Sequence, residues 1–316
     1  NAVRKGFNKA GGDSTLSNIN NSPAEYTQKN SNMSVEEYYN RGKERLNSEN
    51  YNGAISDFTN VIRITPDFFP AYNNRGISKR RLNDTSGAIS DYTIAIEINP
   101  NYAAAYNNRG NSKAILKDYY GAISDYNKVI ELDPNDALAY LNRGNSKDDL
   151  KDYYGAISDY NKAIELNPND ALAYLNRGNS KDDLKDYYGA ISDYTKAIEL
   201  DPNDADSYVN RGISKGNLKD YYGAISDFTK AIELNPNYTD AYLNRGISKD
   251  DLKDYYGAIS DYTKAIELGR NDADSYVNRG ISKENLGDLN GACADWKKAA
   301  ELGNKDAAGW VANQCN

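Results

Sequence analysis

The chain has 316 residues, with 38 lysines and arginines against 46 aspartates and glutamates, and it contains no histidine. Without histidine the chain lacks the most frequent general base and metal ligand, and two cysteines are too few for a zinc framework. The net charge of −8 argues against nucleic acid as a partner, because phosphate binding depends on lysine and arginine. We expect no catalysis, no cofactor, no metal, no nucleic-acid binding and no membrane insertion.

Residues 1–34 form a polar segment rich in Asn, Ser and Gly, which is typical of a tail that is flexible unless bound. The net charge of this segment is +2, so the remainder of the chain carries −10. A basic or neutral polypeptide is therefore the expected partner of the body of the chain. The charged residues of the segment are Arg4, Lys5, Lys9, Lys29, Asp13 and Glu25.

From residue 35 onward, a 34-residue pattern recurs eight times without an insertion. We number these units 1 to 8, and units 4 and 5 (137–170 and 171–204) differ at only two positions. A strict period of this length predicts stacked copies of one supersecondary structure. The Arg-Gly pair of each unit places its glycine at Gly42, Gly76, Gly110, Gly144, Gly178, Gly212, Gly246 and Gly280.

Unit 5 shows the expected hairpin. Apolar and aromatic residues at helical spacing predict one helix over 171–184 and a second over 187–200. Pro202 ends the second helix, because proline cannot continue one. The small residues Gly178 and Ala190 are expected where the two helices approach closely.

The period, with aromatic, Gly, Ala, aromatic, Ala and Pro at fixed offsets, resembles the tetratricopeptide repeat over 35–306. The residue pattern within the units resembles that of bacterial, especially cyanobacterial, members of this family. The resemblance implies an all-α, right-handed superhelical solenoid of eight helix-turn-helix repeats. It also implies a concave groove lined by the first helices that grips a protein or peptide segment.

The sequence departs from the family in carrying Arg before the Gly of every unit and Asp in every second helix. Helical angles point the Arg, and a Lys three residues after the Gly, toward the second helix. We predict an internal Arg–Asp ladder with one ion pair per hairpin and Lys stems packed beside it. The alternative is a charged stripe for a ligand. The aspartates are Asp57, Asp91, Asp125, Asp159, Asp193, Asp227, Asp261 and Asp295.

The predicted groove consists of first-helix positions that vary between units, as expected of residues that select a partner. It begins polar and partly basic, and continues with an apolar floor and an acidic wall that suit a basic amphipathic helix or extended segment. The alternative is that the acids form a solvated face. The fifth positions are Tyr39, Asn73, Asn107, Leu141, Leu175, Val209, Leu243 and Val277, and the twelfth and thirteenth include Arg80, Arg81, Asp148, Asp149, Asp182, Asp183, Asp250 and Asp251.

Adjacent tyrosines recur at the start of five second helices. The second tyrosine of each pair is expected near the outer surface, either as a contact surface or as cover for the backbone. These second tyrosines are Tyr120, Tyr154, Tyr188, Tyr222 and Tyr256.

The predicted closing helix, 307–316, lacks charged residues and carries Trp310 and Val311, which could contact a second copy. Cys293 is expected to be a small buried residue, or to pair with Cys315. Such a disulfide would indicate an oxidising compartment and therefore export.

Two functions follow from these patterns. The first is a non-catalytic scaffold that binds a polypeptide segment in the groove. The alternative is a structural subunit that self-assembles end to end, into filaments, through the closing helix and the N-terminal tail.

Overall fold

The computed structural model describes residues 33–269 and 272–315, and every regular element in that part of the chain is an α-helix. The predicted tail, 1–34, lies outside the described residues apart from Met33 and Ser34. The helices are α1 Val35–Asn47, α2 Tyr51–Ile64, α3 Phe69–Arg81, α4 Thr85–Ile98, α5 Ala103–Ile115, α6 Tyr119–Leu132, α7 Ala137–Asp149, α8 Tyr153–Leu166, α9 Ala171–Asp183, α10 Tyr187–Leu200, α11 Ala205–Asn217, α12 Tyr221–Leu234, α13 Thr239–Asp251, α14 Tyr255–Glu267, α15 Ala273–Asn285, α16 Leu289–Glu301 and α17 Lys305–Gln314.

Local signals set the helix ends in each unit, as unit 5 shows. Asp170 caps α9, and Lys185 turns the chain at φ 63°. Asp186 then caps α10 by accepting a hydrogen bond from the Gly189 amide at 3.0 Å. A Cβ on Gly189 would lie 2.2 Å from an Asp186 oxygen, so a larger residue there would displace the capping carboxylate from its present position.

The two helices of each hairpin meet where the repeated glycine faces an aromatic ring. A Cβ on Gly178 would lie only 2.6 Å from Tyr194 Cε1. Tyr194 and Ala190 are buried in the same interface. The predicted close approach of the hairpin helices is confirmed.

Stacking of the hairpins produces a curved solenoid. Each helix packs on its neighbours in sequence, and the first helix of each unit also contacts the first helix of the next. Second helices of successive units make no comparable contact among the described residues. The first helices therefore line the inner, concave side, and the predicted all-α repeat architecture is confirmed.

An ion-pair ladder runs through the interior. In unit 5, Asp193 accepts two hydrogen bonds from Arg177, at 2.9 and 2.5 Å, and its second oxygen also meets Lys181 at 2.7 Å. The prediction of one ion pair per hairpin was incomplete, because the lysine joins the pair instead of packing beside it. In unit 1, Arg45 takes the place of that lysine.

The arginine of the ladder also joins successive units. Arg177 Nη1 donates to the Asn161 side chain of the preceding unit at 2.7 Å, and its guanidinium lies 5.4 Å from the Tyr174 ring centre. The carboxylates of the ladder are at most 5% exposed. They are therefore part of the core, and the alternative of a ligand-binding charged stripe does not fit.

The C-terminal end differs from the prediction. The closing helix begins at Lys305, not at 307, because Asn304 caps it by accepting from the Ala307 amide at 2.8 Å. Its first turn therefore carries the charges of Lys305 and Asp306. A disulfide joins Cys293 in α16 to Cys315 just after α17, and Cys293 is also buried in the C-terminal core, so both roles considered for it are present.

Candidate functional site

The fifth-position residues do not form the open floor that the sequence suggested. Asn73, Leu141, Val209 and Leu243 are 3%, 4%, 3% and 7% exposed, so they are buried between helices. Leu141, for example, belongs to one cluster with Ala156 and with other buried residues of units 4 and 5. These four residues are therefore not available as a groove floor, because they pack between helices. Asn107, Leu175 and Val277 are half-buried.

Two depressions open on the concave side, one unit apart. Their volumes are about 240 Å³ and about 300 Å³. Both are lined by the ninth, twelfth and thirteenth residues of one unit, the tyrosine of its second helix, and polar or apolar residues of the next unit. The first is lined by Asn145, Asp148, Asp149, Tyr160, Asn176 and Asn179, and the second by Asn179, Asp182, Asp183, Tyr194, Asn210 and Ile213.

Asparagine and tyrosine side chains hold the floor of each depression. Asn145 Oδ1 accepts hydrogen bonds from the Tyr160 hydroxyl and from Asn176 Nδ2, both at 2.9 Å. One unit later, Asn179 Oδ1 accepts from Tyr194 and Asn210, both at 3.0 Å. The floor is thus a polar network that is satisfied within the chain.

The twelfth-position aspartates are half-buried and tied to the following unit. Asp148 accepts from the Ser180 hydroxyl, Asp182 from Ser214, and Asp250 from Ser282 at 2.5 Å. Burial raises the pKa of each of the three carboxyls, and these serine hydrogen bonds oppose that effect. These aspartates therefore connect each of their units to the following one through a hydrogen bond.

The thirteenth-position aspartates are free to meet a ligand. Asp149, Asp183 and Asp251 are exposed, and none makes a hydrogen bond or ion pair to another described residue. Asp149 and Asp183 lie at the rims of the two depressions. The acidic wall of the predicted groove is therefore carried by the thirteenth position more than by the twelfth.

Arg80 and Arg81 occupy the same two positions in unit 2, at the end of α3. Arg80 is half-buried and Arg81 is exposed. The groove thus changes from basic in unit 2 to acidic in units 4 and 5.

The sequence analysis missed two residues of each depression. The sixth-position asparagines, Asn176 and Asn210, were passed over because the search followed variable positions, and every unit has asparagine there. Tyr160 and Tyr194, on the second helices, were not among the predicted groove residues, although they line the two depressions. The available signal was asparagine at both the sixth and the ninth positions, which face one another across successive first helices.

Two other predicted surfaces are present. Tyr120, Tyr154, Tyr188, Tyr222 and Tyr256 are 76–77% exposed on the second helices. At the C-terminal end, Trp310 is half-buried 5.3 Å from the Trp296 ring centre, and Val311 packs on the same cluster. Much of the predicted end contact is therefore used by the chain's own core.

Within 33–269 and 272–315, no group of three or more His, Cys, Asp or Glu side chains is arranged to hold a metal ion. No helix in these ranges has both the length and the apolar character needed to cross a membrane.

A groove on stacked helical hairpins of 34 residues defines a helical-repeat protein. Family models described as tetratricopeptide repeat match residues 103–136, 137–170, 171–204, 205–238 and 239–272, more than half of the chain. The chain belongs to the tetratricopeptide repeat family. A search of curated protein sequences finds no significant match.

Solved structures share this fold. A crystal structure of MamA protein is 29% identical, with a TM-score of 0.51 over 54% of this chain and 94% of that one. YrrB, described as a TPR protein with an unusual peptide-binding site, is 24% identical, with a TM-score of 0.51 over 58% and 95%. The Cut9–Hcn1 hetero-tetramer of APC/C is 18% identical, with a TM-score of 0.58 over 84% and 53%.

Proposed function

We propose that the chain is a non-catalytic scaffold whose concave groove binds a polypeptide segment bearing lysine or arginine side chains. The observation that carries this proposal is the pair of depressions with unpaired, exposed aspartates at their rims, Asp149 and Asp183. Paired depressions repeated at the spacing of the units favour an extended or helical segment over a compact ligand.

The floor of the depressions supports binding of such a segment. Amide and hydroxyl groups of Asn145, Tyr160 and Asn176 are already hydrogen-bonded to one another, so the floor is pre-organised. Their remaining hydrogen-bonding capacity suits the peptide groups of a bound chain. The aspartates above supply charge for lysine or arginine at the rim, which aids the rate and specificity of association.

End-to-end self-assembly remains the alternative function. Beyond the charged first turn of α17, its exposed residues Ala308, Ala312 and Asn313 are uncharged, and this is the feature that favours it. The partial burial of Trp310 and Val311 in the chain's own core weakens it.

The test is selection of random 16-residue segments, displayed as internal insertions, on the wild-type protein and on the double variant Asp149→Asn, Asp183→Asn. We expect enrichment of lysine and arginine on the wild type, and loss of that enrichment on the variant. These positions are preferable to Asp148 and Asp182, whose side chains also accept hydrogen bonds from serines of the next unit. Asp118→Asn and Asp220→Asn are unsuitable controls because both residues cap helices.

A matched control is Asp67→Asn with Asp274→Asn, which removes the same charge from exposed positions outside the two depressions. The proposal fails if no segment is enriched, or if both double variants select the same segments as the wild type. Light scattering on a sizing column tests the alternative, since a mass that stays near 35.1 kDa at all concentrations contradicts self-assembly.

A further inference from the structure

Unit 2 differs from units 4 and 5 at the two groove positions that complete the polar floor. Ile77 stands at the ninth position, where unit 4 has Asn145, and Arg80 stands at the twelfth, where unit 4 has Asp148. Each change removes a hydrogen-bond acceptor, and the second adds a donor group.

The result is a pair of buried polar atoms, the Tyr92 hydroxyl and Arg80 Nε, that make no hydrogen bond of good geometry. The Tyr92 hydroxyl is buried in a side chain that is 0% exposed, and it has no hydrogen-bond partner. The equivalent hydroxyl in unit 3, on Tyr126, donates to Asn111 at 2.7 Å. Arg80 Nε is also buried and without a partner. Buried polar groups are nearly always satisfied, so this pair calls for an explanation.

The two donors lie beside each other. Burial raises the pKa of Tyr92, and the contact of its hydroxyl with Arg80, the charge of Arg80 and the nearby Ser112 hydroxyl oppose that rise. The closest carboxylate of the ladder, Asp91, is already engaged by Arg75 at 2.7 Å and by Lys79 at 2.8 Å. Among the described residues, Arg80 therefore forms no ion pair.

Among the described residues, no side chain makes a hydrogen bond of good geometry to either atom, although the Ser112 hydroxyl lies near that of Tyr92. The hydroxyl of Ser112, which occupies the place of Ser180 one unit after Asp148, donates instead to the Asn108 carbonyl at 2.8 Å. The Asn73 side-chain oxygen accepts from Asn108 Nδ2 at 2.9 Å. Unit 2 and the start of unit 3 thus present a surplus of donors and positive charge to the groove.

We propose that Arg80 and Tyr92 form a subsite for an acidic side chain of the bound segment. A carboxylate of the segment accepts hydrogen bonds from both groups. It first pairs with the Arg80 guanidinium, and it accepts from the Tyr92 hydroxyl once the flexible Arg80 side chain has turned toward the groove. The segment then carries an acidic residue over units 2 and 3 and basic residues over units 4 and 5, which fixes its direction. This inference rests on the proposed function, since it concerns the same groove and the same ligand.

Arg80→Asp is the informative variant. Units 4, 5 and 7 carry aspartate at this position, where it accepts from the serine of the following unit, so the substitution is compatible with the fold. Arg63→Asp makes the same charge change at an exposed position on α2 and serves as the control. Thermal unfolding of both variants verifies that they are folded.

The experiment repeats the display selection with the wild type, Arg80→Asp and Arg63→Asp. Display as internal insertions removes free termini, so any carboxylate selected belongs to a side chain. On the wild type and Arg63→Asp we expect Asp or Glu enriched toward one end of the segment and Lys or Arg toward the other. On Arg80→Asp the acidic enrichment should disappear while the basic enrichment remains.

A binding cycle then quantifies the contact. For one selected segment, replacing its acidic residue with the amide should weaken binding by wild type about 10- to 100-fold, as for a hydrogen bond to a charged group. The same replacement should change binding by Arg80→Asp less than about twofold. Tyr92→Phe, which removes only the hydroxyl, should reduce the loss seen with the wild type.

The outcomes separate the two proposals. Basic enrichment without acidic enrichment, or equal acidic enrichment on wild type and Arg80→Asp, overturns the subsite and leaves the proposed function standing. Absence of any enriched segment overturns both.

Discussion

Units 2 and 4 hold opposite charges at the same point of the same hairpin. In unit 4, Asp148 is bonded to a serine of the next unit, and Asn145 accepts from a tyrosine hydroxyl. In unit 2, Arg80 stands at the first of these positions, and the corresponding hydroxyl, on Tyr92, has no partner. The ladder beneath them is the same in both units. We call the ladder and the packing of the hairpin helices the frame of the solenoid. This frame is independent of the groove, whose charge can change without a change of fold.

Breaking the ladder is expected to have the largest effect, and the same effect in both regions. Asp91→Ala and Asp193→Ala each remove a buried carboxylate and leave a half-buried arginine and lysine without it, which should cost about 3–5 kcal/mol of stability. Urea unfolding followed by circular dichroism measures the loss, with the exposed Asp149→Ala as control. A loss in only one region would show that the ladder is not a common frame.

Two glycines test the contrast between frame and groove. Gly178→Ala should destabilise by roughly 1–3 kcal/mol, because its Cβ would press on the Tyr194 ring. Gly216, at the twelfth position of unit 6, has no atom within 4 Å of a built Cβ. Gly216→Ala should therefore stabilise by up to about 1 kcal/mol through helix propensity. Thermal unfolding compares the two variants, and stability changes of the same sign would contradict this account of the hairpin.

The acidic region can be extended by one unit. Gly216→Asp supplies a carboxylate where Ser248 now donates to the Asn244 carbonyl at 3.0 Å. We expect binding of a lysine-containing segment to tighten by a few-fold, as expected of one partly exposed ion pair. Fluorescence anisotropy measures the change, with the uncharged Gly216→Asn as control. Equal affinities for the two variants would show that charge at this position does not reach the ligand.

The smallest effect concerns pH. Burial raises the pKa of Asp182 above its ordinary value of 3.8, so its contribution to stability is present below that value and lost as pH rises through the folded pKa. At pH 7 the ionised carboxylate opposes folding slightly. Asp182→Asn should therefore be slightly more stable than wild type at pH 7, and this gain should vanish near pH 3. Denaturation midpoints at the two values check the sign.

The frame could be predicted well from the sequence, because each part of the frame recurs in every unit. The period, the hairpin and the Arg–Asp pairing all follow from residues that stand at one position in every unit. The lysine's share in the ladder could not be read from spacing, because a long flexible side chain either packs or pairs at the same position. Likewise, spacing left the disulfide open, since two cysteines far apart in sequence pair only if the closing helix folds back onto α16.

The groove was predicted less well, for a physical reason. Variation between units marked Leu141 and Val209 as groove residues, but variable apolar residues also arise where neighbouring units pack together. Conversely, the invariant Asn176 serves the groove and escaped a search based on variation. The unpaired Tyr92 hydroxyl depends on the residue fifteen positions earlier, Ile77, and becomes visible only when the two helices are placed side by side.

The most direct test of a groove with one basic and one acidic region is a double-mutant cycle, measured by fluorescence anisotropy on one selected segment. The cycle pairs Arg80→Asp with amidation of the segment's acidic side chain, and Asp149→Asn, Asp183→Asn with neutralisation of its basic side chains. The account predicts non-additive losses within each pair and additive losses between pairs. Additive losses within both pairs would show that the segment does not contact these side chains, and would contradict the groove as the binding surface.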